Sequence, residues 1–315
     1  MLSTSIVIPT KNNVDTIEEC ISSLMPYYRE GHIGEIVVVD GHSTDGTLNV
    51  VSEYPVKLLL EEGKGNIGMA YDIGWRNAQG ELIILLDSDV YLEEGFFPRA
   101  HELLSNDKVG WISCAARAVV TNRLTKAQAE EWAGGMLAPA PSRFRRLYTR
   151  IAYAMGPESL GGGPCMIVRR ICLEAVDGFQ GLSLGTLRCC GDISVSQRLA
   201  NRGWKTIWWM DAPVYHHPRA TFAGLVKQYH GYGKSLAHMH LEREFRESYP
   251  WYYKVISIMA RLASLAVATY LAVRFRNPLH IITYPPPRYA WAIGYIVGWI
   301  GARNEKGRNP NQSSN

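Results

Sequence analysis

Four apolar runs near the N-terminus constrain the fold more than any other feature of this sequence: SIVIPT (5–10), EIVVVD (35–40), VKLLLEE (56–62) and LIILLDSD (82–89). They are rich in Val, Ile and Leu and show almost no polar alternation, which is the pattern of strands covered on both faces. Between the first three lie the amphipathic segments VDTIEECISSLM (14–25) and STDGTLNVVSEY (43–54), which read as helices. Strands alternating with helices build a parallel sheet through crossover connections. The expected fold class is therefore α/β, Rossmann-like, a mostly parallel sheet with helices on both faces. Such sheets bind ligands outside the carboxyl ends of their strands, so Thr10, Asp40, Glu61 and Asp87, each at a strand end, should line one rim.

Composition sets outer limits. A chain of 315 residues that is 47% hydrophobic can bury one sizeable domain and carry an appendage. A net charge of +4 gives no reason to expect a nucleic-acid partner. The six cysteines (Cys20, Cys114, Cys165, Cys172, Cys189 and Cys190) contain no CxxC pair and read as reduced thiols in a cytosolic setting. MLSTSIVIPTKNN has no charged leader and a short apolar core, so it is expected to be a strand, not a signal peptide.

The run ending at Leu86 closes with Asp87, Ser88 and Asp89. Two carboxylates at i and i+2 can cap the next helix. They can also bind a hard divalent cation, Mg²⁺ or Mn²⁺, against a diphosphate, since such ions take oxygen ligands and keep positions for water and phosphate. Asp40 can accept from a base N–H or a ribose hydroxyl, and Thr44 or Asp45 can cap the helix that follows. In EEGKGNIGMAYDIGWRNAQG, Gly63, Gly65 and Gly68 permit close backbone approach, and Lys64 can meet a phosphate or base. The spacing is neither GxGxxG nor GxxxxGK[ST].

Four segments in order, SIVIPTKNNVDTIEECISSL, EIVVVDGHSTDGT, GKGNIGMAYDIGWRNAQGELIILLDSDV and YHHPRATFAGLVKQYHGYG, resemble the successive motifs of family 2 glycosyltransferases over residues 3 to about 235. These are inverting enzymes of the GT-A fold that use nucleotide-diphospho sugars. The resemblance implies that Asp40 contacts the base, Asp87 the ribose or metal, and Asp89 the metal bridging the diphosphate. It places Pro9, Thr10, Lys64, Gly65 and Ser88 with Asp40 and Asp87 in the donor nucleotide site. Gly161, Gly162 and Gly163 resemble the loop beneath the acceptor and donor sugar, although a plain flexible turn explains them equally. Asp192, at the start of an amphipathic helix, matches the general base that takes the acceptor's proton; as an isolated residue it reads as an N-cap. The family usually has Glu before this Asp, and here stands Gly191. One histidine of the pair after the next strand would complete the metal site, and spacing to PRAT favours His216 over His217. The helix that follows, with Lys227, Tyr232 and Lys234, closes over a phosphate or simply covers the core with a solvated basic face.

Beyond residue 240 the composition changes. Residues 255–273 and 289–302 are apolar runs, borderline or short for crossing a bilayer, with Lys254 and Arg261 on one helix face, flanking arginines and interfacial Trp and Tyr. They are expected either to associate with a membrane as a hairpin, separable from a donor-binding domain, or to form a soluble helical cap or a homo-oligomer contact. The basic run RFRRLYTR (143–150) can meet lipid phosphates or be a solvated face. The expected organisation is a GT-A domain over 1–240, with a nucleotide-sugar half (1–115) and an acceptor half (116–240), a membrane-associating helical segment (241–304) and a disordered tail (305–315).

The functional expectation is an inverting, metal-dependent hexosyl transfer from a UDP- or GDP-linked sugar to a lipid-linked or glycan acceptor, at the cytoplasmic side of the cell membrane. Two rivals remain. A sugar nucleotidyltransferase would need a basic, glycine-rich phosphate loop after the first strand, where this chain has PTKNNVD. A non-catalytic nucleotide-sugar-binding subunit is the other, prompted by Gly191.

Overall fold

A computed structural model describes residues 2–61, 66–134, 163–179, 191–240, 255, 258–259 and 261–308. The strands are β1 (Thr4–Thr10), β2 (Glu35–Asp40), β3 (Lys57–Leu60), β4 (Leu82–Leu86), β5 (Val90–Leu92), β6 (Val109–Cys114), β7 (Arg117–Ala118), β8 (Cys165–Arg169), β9 (Lys205–Trp209) and β10 (Val214–His216). The helices are α1 (Ile17–Arg29), α2 (Thr47–Val51), α3 (Ile67–Asn77), α4 (Phe96–Leu104), α5 (Arg123–Gly134), α6 (Arg170–Ala175), α7 (Gly191–Asn201), α8 (Phe222–Met239), α9 (Ser264–Phe275), α10 (Leu279–Thr283) and α11 (Pro285–Arg308).

Seven strands form one sheet in the order β3-β2-β1-β4-β8-β6-β9, all parallel to their neighbours except β8, which is antiparallel to β4 and β6. The expected mostly parallel sheet is present. Its period-two alternation divides the core cleanly. Ile6, Ile8, Ile36, Val38, Leu82 and Ile84 face α1 and α4 on one side. Val7, Val37, Val39, Ile83 and Leu85 face α3, α6 and α7 on the other. Helix α3 lies so close that a Cβ on Gly74 would stand 2.1 Å from Val7 Cγ1, which fixes glycine there. Burial on both faces explains why β1, β2 and β4 lack polar alternation. Edge strand β3 departs from that expectation, with Leu58 42% and Leu60 55% exposed. Helix α1 also runs past Pro26 to Arg29, where a stop was expected, because the extra turn buries Tyr27 against Phe97, ring centroids 4.8 Å apart.

Sheet order reverses between β1 and β4. Their ladder ends at Val7–Leu85, while β1 continues beside β2 to Thr10. The two strands therefore part at their carboxyl ends, and the resulting crevice is the topological switch point where such sheets take ligands. A second sheet, β5-β10-β7, stands beside it and carries the chain from Asp89 back to His216.

Among the described residues the C-terminal segments include the helices α9, α10 and α11, where a two-helix hairpin was expected. Among the described residues no helix is long and apolar enough to cross a membrane. Helix α11 packs along α8 with backbone against backbone: a Cβ on Gly233 would lie 2.0 Å from Trp291 O, and one on Gly294 would lie 2.1 Å from His230 O. Leu236, Ala237 and Met239 of α8 and Trp291, Ala292 and Tyr295 of α11 share a buried cluster with Ile193 of α7. The boundary expected near residue 240 is thus bridged by a packed core. Arg261, expected to share a helix face with Lys254, stacks over the Trp291 ring at 3.4 Å.

Candidate active site

Thr10, Asp40, Glu61 and Asp87 stand on one rim, as their strand-end positions require. Thr10 is buried and its Oγ1 has no hydrogen-bond partner among the described residues, while its carbonyl accepts from Gly41 N at 2.8 Å. Pro9 is paired with Val39 inside the ladder. Asp40 is fully buried: Oδ2 accepts from Ser43 N at 2.8 Å and Oδ1 from Ser43 Oγ at 2.5 Å. Those bonds hold the turn after β2. Glu61 Oε1 accepts from Asn66 N at 2.8 Å, closing the segment that holds Lys64 and Gly65; those two residues lie outside the described ones. Asp45 Oδ1 accepts from Thr47 N at 3.1 Å, but the N-cap of α2 is Gly46, in the left-handed region at φ +94°, so neither Thr44 nor Asp45 takes the cap position expected of them.

The loop after β1 is tied to both neighbours. Asn12, at φ +51°, bridges to the β2 turn, with its N donating to Ser43 Oγ and its Oδ1 accepting from Thr44 N, both at 2.8 Å. Asn13 Nδ2 donates to Ser88 Oγ, and Thr16 Oγ1 donates to Ser88 O at 3.1 Å. Ser88 is buried and serves to lock the acidic turn to α1.

Asp87 and Asp89 are treated oppositely by their surroundings. Asp87 Oδ1 accepts from Tyr71 OH at 2.6 Å, and burial together with the Asp89 charge raises its carboxyl to about 7. Burial acts in the same direction on Asp89, but His216, with Nε2 3.3 Å from Oδ1, and Arg219, 3.9 Å from Oδ2, outweigh it and hold that group below the usual range. His217 is turned away to Glu19 at 2.6 Å, so the choice of His216 matches the placement. The three-ligand centre expected from Asp87, Asp89 and His216 is nevertheless not preformed. Among the described residues no group of three or more His, Cys, Asp or Glu side chains is arranged around a metal position, since His216 is spent on Asp89. Two adjacent carboxylates, one pushed up by the other's charge, still suit a hard divalent cation that completes its shell with phosphate and water.

Asp192 lies in the first turn of α7 and is half-buried. Gly163 N donates to its Oδ2 at 3.3 Å, and burial, opposed by the amides of Ile193, Gly163 and Asp192 itself, raises the carboxyl to about 6. Its charge contributes to the elevation of Asp87, so the two carboxylates are within electrostatic reach. Gly163 has no room for a side chain without pressing on Cys114 O, which a Cβ would meet at 3.3 Å. Gly161, Gly162 and the basic run 143–150 lie outside the described residues. Lys227, Tyr232 and Lys234 are exposed on α8, the arrangement of a covering helix.

Several side chains at the site carried no motif. Tyr71 is buried on α3 and stacked on Phe179, with centroids 5.5 Å apart. Trp132 of α5 stacks flat on His216, at 5.4 Å and 6°. Period 3.6 marks both as inward-facing helix positions, and nothing in their spacing says what they face.

The family model described as glycosyl transferase family 2 matches residues 5–175, and the chain belongs to that family. The poly(ribitol-phosphate) β-N-acetylglucosaminyltransferase TarS of Staphylococcus aureus is 34% identical over 99 residues, 30% of this chain and 17% of that protein. The dolichol-phosphate mannosyltransferase of Pyrococcus furiosus is 29% identical over 109 residues, 33% of this chain and 31% of its own length. The matched stretches thus span a third or less of these relatives. Among solved structures, the mannosyltransferase PcManGT of Pyrobaculum calidifontis, in complex with GDP-Man and Mn²⁺, superposes with a TM-score of 0.59 at 21% identity, covering 95% of this chain and 87% of that one. Glucosyl-3-phosphoglycerate synthase of Mycobacterium tuberculosis, with Mn²⁺, UDP-Glc and phosphoglyceric acid, gives a TM-score of 0.52 at 18% identity over 76% and 79%. The fold is GT-A.

Proposed function

We propose that this protein is an inverting, metal-dependent glycosyltransferase that moves a hexose from a UDP- or GDP-linked donor to a hydroxyl or phosphate of a lipid-linked or glycan acceptor. The observation that carries the reading is Asp192, a half-buried carboxylate that accepts from Gly163 N at 3.3 Å and is raised to about 6 by burial, within electrostatic reach of the Asp87–Asp89 pair. A carboxylate poised near neutrality can take the proton from the attacking hydroxyl. Inversion requires this base and the departing diphosphate on opposite faces of the sugar; the proposed base stands on α7 and the acidic pair at the end of β4. The unpartnered Thr10 Oγ1 offers a hydrogen bond to a donor seated in the β1–β4 crevice. Asp87 and Asp89 would hold Mg²⁺ or Mn²⁺, which when bound neutralises the charge gathering on the diphosphate leaving group. Gly163 orients the base through its amide.

A membrane surface is the proposed setting, on its cytoplasmic side. Support comes from the C-terminal helices, where Leu265, Val273, Ile282, Ile293, Ile296 and Ile300 are exposed together. Residues 248–304 contain no Asp or Glu, whereas Arg274, Arg276 and Arg303 are exposed among them. An apolar face with basic residues only fits interfacial binding to anionic lipid, and a symmetric contact between copies would set arginine against arginine.

A thermal-shift panel of UDP-, GDP- and dTDP-sugars with and without Mn²⁺ tests the activity. One nucleotide class should raise the melting temperature, and only with the metal. Equal shifts with and without Mn²⁺, or none from any sugar nucleotide, would overturn the proposal.

A further inference from the structure

Helix α5 stands between the acidic pair and the C-terminal helices, and it is bonded to both. Toward the site it holds the segment that supplies the partners of Asp89. Trp132 stacks on His216, Gln128 Nε2 donates to Arg219 O at 2.9 Å, and Asn122 Nδ2 donates to Ala220 O at 3.0 Å. His216 and Arg219 are the two basic side chains set against Asp89. Toward the C-terminal helices, Glu130 Oε2 accepts from Asn277 Nδ2 at 2.7 Å and meets His280 Nε2 at 2.9 Å, and Glu131 pairs with Arg288. These are built contacts: His280 is 1% exposed, and Glu130, Glu131 and Arg288 are each under a fifth exposed. Arg288 is further enclosed by the rings of Tyr284 and Tyr229, at 3.8 and 4.7 Å.

We infer that the C-terminal helices are a working part of the donor site, with Glu130 and Trp132 as positioning residues that set the His216–Arg219 side of Asp89 through α5. A buried carboxylate bridging two donors on another element fixes the rotation of its helix. The flat stack of Trp132 on His216 carries that rotation to the imidazole. Neither residue touches the donor in this account; each acts by fixing what faces Asp89. The inference rests on the metal-diphosphate reading of Asp87 and Asp89, and it assigns to residues 264–308 a role that membrane association does not include.

Titration calorimetry of the full chain with Mn²⁺ and UDP or GDP, whichever diphosphate wild type binds, tests it. Supporting groups behind a metal site usually affect affinity by 10–100-fold, so Glu130→Ala and Trp132→Ala should each weaken Mn²⁺-dependent diphosphate binding by roughly tenfold. Glu130→Gln keeps an oxygen for Asn277 and His280 and should restore affinity to within about threefold. Because both act along one chain of contacts, the double variant should lose less than the product of the two single losses. A purely structural α5 would lower the melting temperature and the fraction of competent protein while the remaining protein binds with wild-type affinity. Mn²⁺-dependent affinity within twofold of wild type in both alanine variants overturns the inference. Should either alanine variant fail to fold, Trp132→Leu, which keeps bulk but no flat ring on His216, and Glu130→Leu, which keeps bulk but no acceptor for Asn277 and His280, decide it: Mn²⁺-dependent affinity within twofold of wild type in both also overturns it. Wild-type binding that is indifferent to Mn²⁺ is a separate result, which removes the metal reading itself.

Discussion

Replacing Asp192 by Asn removes a proton acceptor while preserving size and the oxygen that takes the Gly163 amide. Two effects of opposite sign follow. A positioned base contributes roughly 10²–10⁴ in rate, or about 3–5 kcal/mol of barrier, so transfer should fall by that factor while donor affinity persists. In wild type, transfer should decline about tenfold per pH unit below about 6, where the carboxyl takes its proton. Stability should move the other way. Asp192 titrates at about 6 in the folded protein against 3.8 ordinarily, so between those values the folded state keeps a proton that the unfolded chain has lost. Wild-type stability therefore falls as pH rises through this window, and the full cost is present above about 6. That cost is of order 3 kcal/mol at pH 8, about half as much at pH 5, and absent below 3.8. Asp192→Asn, free of it, should be more stable than wild type at pH 8, with a smaller advantage at pH 5. Urea denaturation at the two pH values measures this, alongside nucleotide release from the donor identified by thermal shift. Transfer within a few-fold of wild type refutes the base assignment, and an Asn variant that gains nothing at pH 8 refutes the buried, unpaired carboxylate.

Asp89→Ala should abolish the Mn²⁺-dependent part of donor binding, read by calorimetry with and without the ion, because the permanently ionised member of the pair is lost. Gly233→Ala should lower the melting temperature by several degrees, since its Cβ would sit 2.0 Å from Trp291 O and overpacking costs ~1–3 kcal/mol; Gly301→Ala, with nothing within 4 Å, should be neutral or mildly stabilising. Truncation after His240 should give a misfolded or aggregating product by light scattering, not a donor-binding domain, because it uncovers Ile193, Leu236 and Met239. Full-length protein should float with anionic vesicles at low salt and lose that binding in high salt or on Arg274→Glu with Arg303→Glu; flotation unchanged by salt and by both substitutions would exclude an electrostatic interface.

What the sequence discloses and what it hides divide along physical lines. Strands covered on both faces announce themselves as uninterrupted apolar runs, so β1, β2 and β4 and the polar residues at their ends were legible from local pattern. Spacing to PRAT favoured His216 over His217, and the two histidines go to different partners, His216 to Asp89 and His217 to Glu19, which no local pattern discloses. Long-range partnership leaves no such trace. Trp132 and Glu130 sit on an ordinary helix, and their partners at positions 216 and 280 are far away in sequence. Glycines 233, 294 and 298 permit a close helix crossing, yet in sequence they read as interruptions of apolar runs. The apolar character of 289–302 was read as surface for lipid, although half of that helix face lies against α8.

The three site carboxylates share one fold but not one fate, and their differences bear on whether this chain is an enzyme or a binding subunit. Asp89 is compensated by His216 and Arg219 and remains ionised. Asp87 has only the distant His216 charge and the Tyr71 hydroxyl to offset burial and the Asp89 charge, and stands at about 7. Asp192 is raised by burial to about 6 against the opposing effect of the Ile193, Gly163 and Asp192 amides. Burial of uncompensated carboxylates costs stability, so they mark places where the surroundings serve chemistry over folding. A subunit that only bound a nucleotide sugar would use the Asp87–Asp89 pair but would have no use for a third carboxylate held near neutrality. Pairs of acids driven to different pKa values by their surroundings are how one site separates its roles. On the proposed function, Asp89 would supply the metal-binding charge, Asp87 a charge completed by the cation, and Asp192 the proton transfer. Gly191, where the family usually has Glu, is buried at the start of α7, one residue before the proposed base, so the departure removes a second acid from that turn and leaves the Asp192 carboxylate.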